Sequence, residues 1–117
     1  MAYDSGLAQR IREVLAGRLG VSERAMFGGL AFLVDGKMLV GVQGSILMAR
    51  VGPERYEDAL AVAHARQMDF TGRPMKGYVY VDPPGLTQDQ DLKAWVHWCA
   101  GYVADLPAKK VKKRKSA

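Results

Sequence analysis

Apolar residues recur at two spacings along this chain, and the change from one to the other marks out its elements. Leu7, Ile11, Val14 and Leu15 fall at helical spacing behind Asp4 and Ser5, either of which can cap a first turn, and Gly17 to Gly20 supply the stop. From Arg24 to Val51 the pattern becomes short apolar runs separated by Gly28-Gly29, Asp35-Gly36 and Gln43-Gly44-Ser45, the punctuation of an antiparallel meander. Asp35-Gly36 suits a two-residue hairpin turn whose central positions both need positive φ, and its flanks, Leu30 to Val34 and Lys37 to Val42, are rich in strand formers.

Pro53 then stands where a first helical turn accepts a residue lacking its N–H, and Tyr56, Ala59, Leu60 and Ala63 continue as a short second helix. Met68-Asp69-Phe70 reads as a short edge strand and Thr71-Gly72-Arg73-Pro74 as a loop. Gly77 to Asp82 reads as a further strand, with Val79 and Val81 facing opposite to Tyr78 and Tyr80. Pro83-Pro84-Gly85 ends it. Thr87 with Gln90 forms a capping box for a closing helix lined by Leu92, Trp95, Val96, Cys99, Val103 and Leu106, and Pro107 terminates that helix. This order predicts an α+β fold: an antiparallel sheet of about five strands with the N- and C-terminal helices packed on one side.

At 117 residues, 49% of them hydrophobic and 25% charged, the chain has apolar material for one core without a metal or disulfide staple. The formal charge of +5 points to a polyanion partner until its placement is considered. Six of the 17 Lys and Arg (Lys109, Lys110, Lys112, Lys113, Arg114, Lys115) crowd the last nine residues, leaving 11 basic against 12 acidic residues elsewhere. The chain therefore divides into a nearly neutral domain, 1–106, and a basic tail, 107–117, whose like charges and low apolar content predict disorder.

The lone cysteine, Cys99, excludes an internal disulfide and any CxxC-type metal or redox site, which fits a reducing compartment. Asp4, Arg10, Arg12 and Glu13 interrupt the first twenty residues, so a signal peptide or membrane span is not expected there. The expectation is a cytoplasmic protein without a membrane partner.

The run Arg24-Ala25-Met26-Phe27-Gly28-Gly29, followed by Phe32, by Asp35-Gly36-Lys37-Met38 and by Arg73-Pro74-Met75, resembles the signature of the TfoX N-terminal domain family, over roughly Val21 to Val103. The resemblance implies a secretion-chaperone-like α+β fold. It further implies kinship with bacterial regulators of natural competence that act beside a transcription factor, not with an enzyme. Full-length regulators of this kind carry a second, helical C-terminal domain, where this sequence has its lysine-rich tail after Leu106.

Candidate chemistry is sparse. Gly28-Gly29 lacks the longer glycine spacing and the Lys-Ser/Thr of a phosphate loop, so positive φ or close backbone approach is the better reading. Arg24 is either a satisfied structural arginine or part of a recognition surface that includes Met26, Phe27, Gly28 and Gly29. The loop at Arg73, Met75 and Lys76 is a second candidate contact, read against an ordinary strand connection.

His64 and His97 are expected on different helices without ligand-spaced neighbours, and Cys99 lies in an apolar stripe with no base beside it, so no catalytic residue, metal site or cofactor is expected. Trp95 reads as core, while Trp98, off the main stripe, is a candidate interface residue. The tail residues Lys109, Lys110, Lys112, Lys113, Arg114 and Lys115 are suited to sequence-independent contact with nucleic acid, or to solubility alone. The expected partner is a protein, from the transcription machinery if the resemblance extends to function, and the sheet's free edges make a homodimer an open expectation.

Overall fold

The computed structural model of the chain describes residues 3–26, 28–69 and 74–106, the side chains of Met26, Asp69, Pro74 and Met75 excepted. Helix α1, Ser5–Leu15, begins where Asp4 caps it: one carboxylate oxygen accepts the backbone N–H groups of Gly6 at 2.8 Å and Leu7 at 3.1 Å. A four-strand meander follows, with β1 at Val21–Met26, β2 at Gly29–Val34, β3 at Lys37–Gln43 and β4 at Ile46–Arg50. A 3-10 turn at Pro53–Arg55 leads into α2, Tyr56–Leu60, then β5, Ala65–Asp69, and β6, Pro74–Val81. A second 3-10 turn, Pro83–Leu86, precedes α3, Asp89–Ala104.

All strand pairings are antiparallel and the order across the sheet is β1-β2-β3-β4-β6-β5. The Asp35-Gly36 hairpin has φ of 53° and 80° at its two central residues, the left-handed pair that a two-residue turn demands. The sheet has six strands rather than about five. The strand most easily missed is β1, which begins at Val21 and reads as largely polar because an edge strand needs little apolar content.

Three local expectations are corrected. The second helix stops at Leu60, so Ala63 lies in a turn beyond it, followed by His64 in the left-handed region at φ 70°. The capping box at Thr87 and Gln90 does not form: Gln88 is the N-cap of α3 and makes no side-chain cap, while the Thr87 hydroxyl turns back to the carbonyls of Pro83 and Pro84, 3.4 Å from each. The 3-10 turn set by the proline pair competes for that hydroxyl and delays the helix start. Leu106, assigned to the stripe of α3, sits half-buried just past the helix end.

The helices cover one face of the sheet, as expected. Ile11 and Leu15 of α1 and Leu92, Val96, Cys99 and Val103 of α3 pack on Phe32, Leu39, Val40, Leu47, Val79 and Val81. The opposite face carries its own smaller cluster, in which Ala31, Leu33, Met38, Met48 and Met68 are buried and Tyr78 and Tyr80 are packed against them. Tyr78 and Tyr80 thus face away from Val79 and Val81, in accord with the alternation of the strand.

The adjacent glycines of the β1–β2 turn have different reasons for being glycine. Gly28 has φ 75° with open space around it, whereas a Cβ on Gly29 would run into the carbonyl oxygen of Val42 on β3. Gly28→Ala is therefore expected to cost about 1–2 kcal/mol, the price of a left-handed alanine. Gly29→Ala, which must push two strands apart, should cost about 3 kcal/mol or more. Thermal melts of the two variants test this ordering, and equal losses would refute it.

Candidate functional site

Two surfaces gather the residues capable of recognition. The first is the β1 edge. Ser22, Glu23, Arg24 and Ala25 are all exposed, and among the described residues β1 is paired only with β2, through contacts such as Glu23 opposite Phe32 and Arg24 opposite Ala31. Alternation puts Glu23 on the helix side, where the Arg12 guanidinium of α1 grips it with two bonds of 2.6 and 2.9 Å. Those hydrogen bonds hold the Glu23 carboxyl below its ordinary value, so the pair's contribution is present above the normal carboxylate range and is lost as pH falls through the depressed value. Arg24 points to the opposite face and is exposed there.

The second surface lies on the helix side, where α3 runs past the short α2. A cleft of about 480 Å³ opens between the Val62–His64 turn, Pro84-Gly85 and the α3 residues Asp91, Trp95 and Trp98. The rings of Trp95 and Trp98 are stacked, with centroids 5.3 Å apart and planes within 3°. The Arg55 guanidinium lies 4.9 Å from the Trp98 ring centre and binds Asp58 at 3.2 Å. Trp98 also borders a second recess of about 490 Å³ that includes Glu54, His97, Tyr102 and Asp105. His64 and Asp91, from separate elements, line the first cleft, and His97 lines the other recess with Glu54 and Asp105.

The sequence candidates do not form one surface. Arg24, Gly28 and Gly29 stand at β1 and its turn, Gly29 buried and the other two exposed, and the Met26 backbone pairs with Gly29 at the end of β1. Lys76 is exposed near the start of β6, separated from β1 by β2, β3 and β4 and lying toward the other end of the strands; Met75 precedes it on the same strand. Phe27, Arg73 and the tail residues Lys109, Lys110, Lys112, Lys113, Arg114 and Lys115 lie outside the described residues. The cleft around Trp98 is the surface that spacing alone missed. Its one sequence signal is Asp91, Trp95 and Trp98 at i, i+4 and i+7 on a single helix face.

The family model of the TfoX N-terminal domain matches residues 13–101. The chain belongs to the TfoX N-terminal domain family. No curated protein and no solved structure matches it. The matched span runs from the end of α1 to within three residues of the end of α3, so both surfaces fall inside the TfoX N-terminal domain and the basic tail falls outside it.

Among the described residues, no group of three or more His, Cys, Asp or Glu is placed to hold a metal ion, and no helix is long and apolar enough to cross a membrane. Cys99 is fully buried within the core of the TfoX N-terminal domain. Burial pushes its thiol up to about 12 from an ordinary 9.0, against a smaller opposing effect of the Arg50 backbone N–H. A raised thiol pKa favours the protonated form in the folded state. Its effect on stability is therefore flat below about pH 9 and unfavourable as pH rises from about 9 toward 12, where the unfolded chain ionises first. Iodoacetamide at mildly alkaline pH should leave the native protein unmodified and label the urea-unfolded chain stoichiometrically. Rapid labelling of the native protein would contradict this placement.

Proposed function

We propose that this TfoX N-terminal domain is a non-enzymatic interaction module of regulatory type that receives an extended segment of a protein partner along the free edge of β1. The observation that carries the reading is that edge itself: exposed Ser22 to Ala25, beside a buried glycine that lets the turn lie close on β3. An added strand finds main-chain hydrogen bonds there, and Arg24 favours an acidic residue opposite it.

The alternation of β1 counts against a second copy as the occupant. A symmetric antiparallel pair about a two-fold axis normal to the sheet matches residues of the same parity. The registers that overlap most of the strand then set Glu23 against Glu23 or Arg24 against Arg24. Like charges opposite each other disfavour self-pairing and leave the edge to a different chain. Kinship with competence regulators makes a component of the transcription machinery the partner class to examine first.

A photo-crosslinking residue at Ala25 should trap one discrete protein, while the same probe at the exposed Glu57 of α2 should not, and Arg24→Glu should weaken the capture without lowering the melting temperature. Trapping of ribosomal and nucleic-acid background alone from the Ala25 position would remove the support for this reading.

The basic tail supports a second reading, a nucleic-acid-associated accessory protein, because six positive charges fall within seven residues. Each phosphate neutralised contributes a slope of about −0.9 to the log–log salt dependence of binding to duplex DNA, so a fully engaged tail approaches about −5. Gel shifts at low and moderate salt should show that steep fall for the whole chain and loss of binding without residues 107–117. Binding unchanged by the deletion would eliminate the tail as the contact.

A further inference from the structure

Helix α3 presents two faces. Leu92, Val96, Cys99 and Val103 enter the core, while Asp91, Ala94 and Trp98 look onto the cleft of about 480 Å³, with Trp95 between the two sets. That volume lies within the range of small-ligand sites. The far wall is stiff. His64 is held at φ 70°, its carbonyl accepts the Asp82 N–H at 3.0 Å, and the Ala65 N–H bonds the Val62 carbonyl at 3.1 Å. Gly85 presses so closely on this turn that a Cβ there would lie 2.9 Å from the Cβ of His64. A histidine in the left-handed region persists only where its surroundings over-determine it, and here it stands at the border of a cavity.

The chemistry of the lining is one-sided. Asp91 is its carboxylate, no Lys or Arg among the described residues lines it, and neither Asp91 nor His64 has a side-chain hydrogen bond or ion pair with another described residue. The floor is a stacked indole pair, and the Trp98 ring already supports a cation, the Arg55 guanidinium. Aromatic surface beside a carboxylate without a partner is complementary to a flat apolar body bearing a positive charge.

We infer that this cleft binds a small aromatic amine, its ring against Trp95 and Trp98, its ammonium toward Asp91, and the His64 imidazole as a second hydrogen-bonding group. The inference is independent of the β1 edge, and loss of either reading leaves the other in place.

Both tryptophans of the chain line the cleft, so indole emission reports on it; Trp98 also borders the second recess, and variants at Asp91 and Ala94, which line the first cleft and not the second, tell the two apart. Titration of the full chain with 2-phenylethylamine should change that emission saturably, and phenylacetate, the same ring with the charge reversed, should not over the same range. Asp91→Asn, at an exposed helix position, should weaken the amine about two- to fivefold, the range for a solvent-screened charge pair. Ala94→Leu, also at an exposed position, should abolish the response by filling the cleft, with an unchanged melting curve showing that the fold is intact. Absence of a saturable response to the amine, an equal response to phenylacetate, or an unchanged affinity in Asp91→Asn would each overturn the inference.

Discussion

Phe32, Leu39, Val40, Leu47 and Ala49 form a continuous apolar face on three neighbouring strands, and burial of that face beneath α3 is the condition for everything else in the domain. Each large side chain so removed from water contributes at most roughly 1.5–3 kcal/mol, most of it offset by the entropy of ordering the chain. Polar contacts fix where the helix lies. Near its start, Arg10 of α1 donates to the Leu86 carbonyl at 2.7 Å and to Asp89 at 3.1 Å. Just past its end, the Lys37 ammonium donates to the Leu106 carbonyl at 3.2 Å, tying the helix to the strand that leaves the Asp35-Gly36 hairpin. A displaced α3 would uncover the centre of the sheet and dismantle the wall of the cleft together.

The sheet's other face is built differently. Met38, Met48 and Met68 come from three strands and pack with Ala31 and Leu33, and their unbranched side chains adapt to an irregular surface that none of the described helices covers. Arginines border this cluster: Arg66 lies 5.0 Å from the Tyr80 ring centre and binds Asp82 at 3.0 Å, and Arg50 lies 5.8 Å from the Tyr78 ring centre. Both guanidinium groups lie against phenol rings, and that of Arg50 also donates to the Met38 carbonyl at 3.2 Å. The domain thus buries both faces of one sheet, one beneath helices and one within its own side chains, with β1 and β5 at its margins among the described residues.

What was legible in the sequence was what local chemistry decides. Asp4 caps α1 because its carboxylate reaches two N–H groups close by in the chain, and Asp35-Gly36 turns because both residues accept positive φ; neither depends on distant residues. Where two local preferences compete, the reading fails. Thr87 has the spacing of a capping box, but the preceding proline pair draws its hydroxyl into a different turn. The β1 strand was only partly visible because its sequence is that of a surface. Of the cleft only Trp98, off the main stripe of α3, was visible, because its walls, from Val62 to His64 and from Asp91 to Trp98, are far apart in the chain and meet only after α3 has packed.

The placement of Trp95 explains why core and cleft cannot be tuned separately. It is only 4% exposed and belongs to the main apolar cluster, yet it also forms part of the floor of the cleft and stacks on Trp98. A smaller residue there would open a cavity in the core and remove the ring on which Trp98 stacks. Trp98 and Asp91 are less constrained, since they lie on the outward side of the same helix. The inward stripe of α3 therefore sets the fold, the outward positions at 91, 94 and 98 are free to set what the cleft accepts, and Trp95 couples the two.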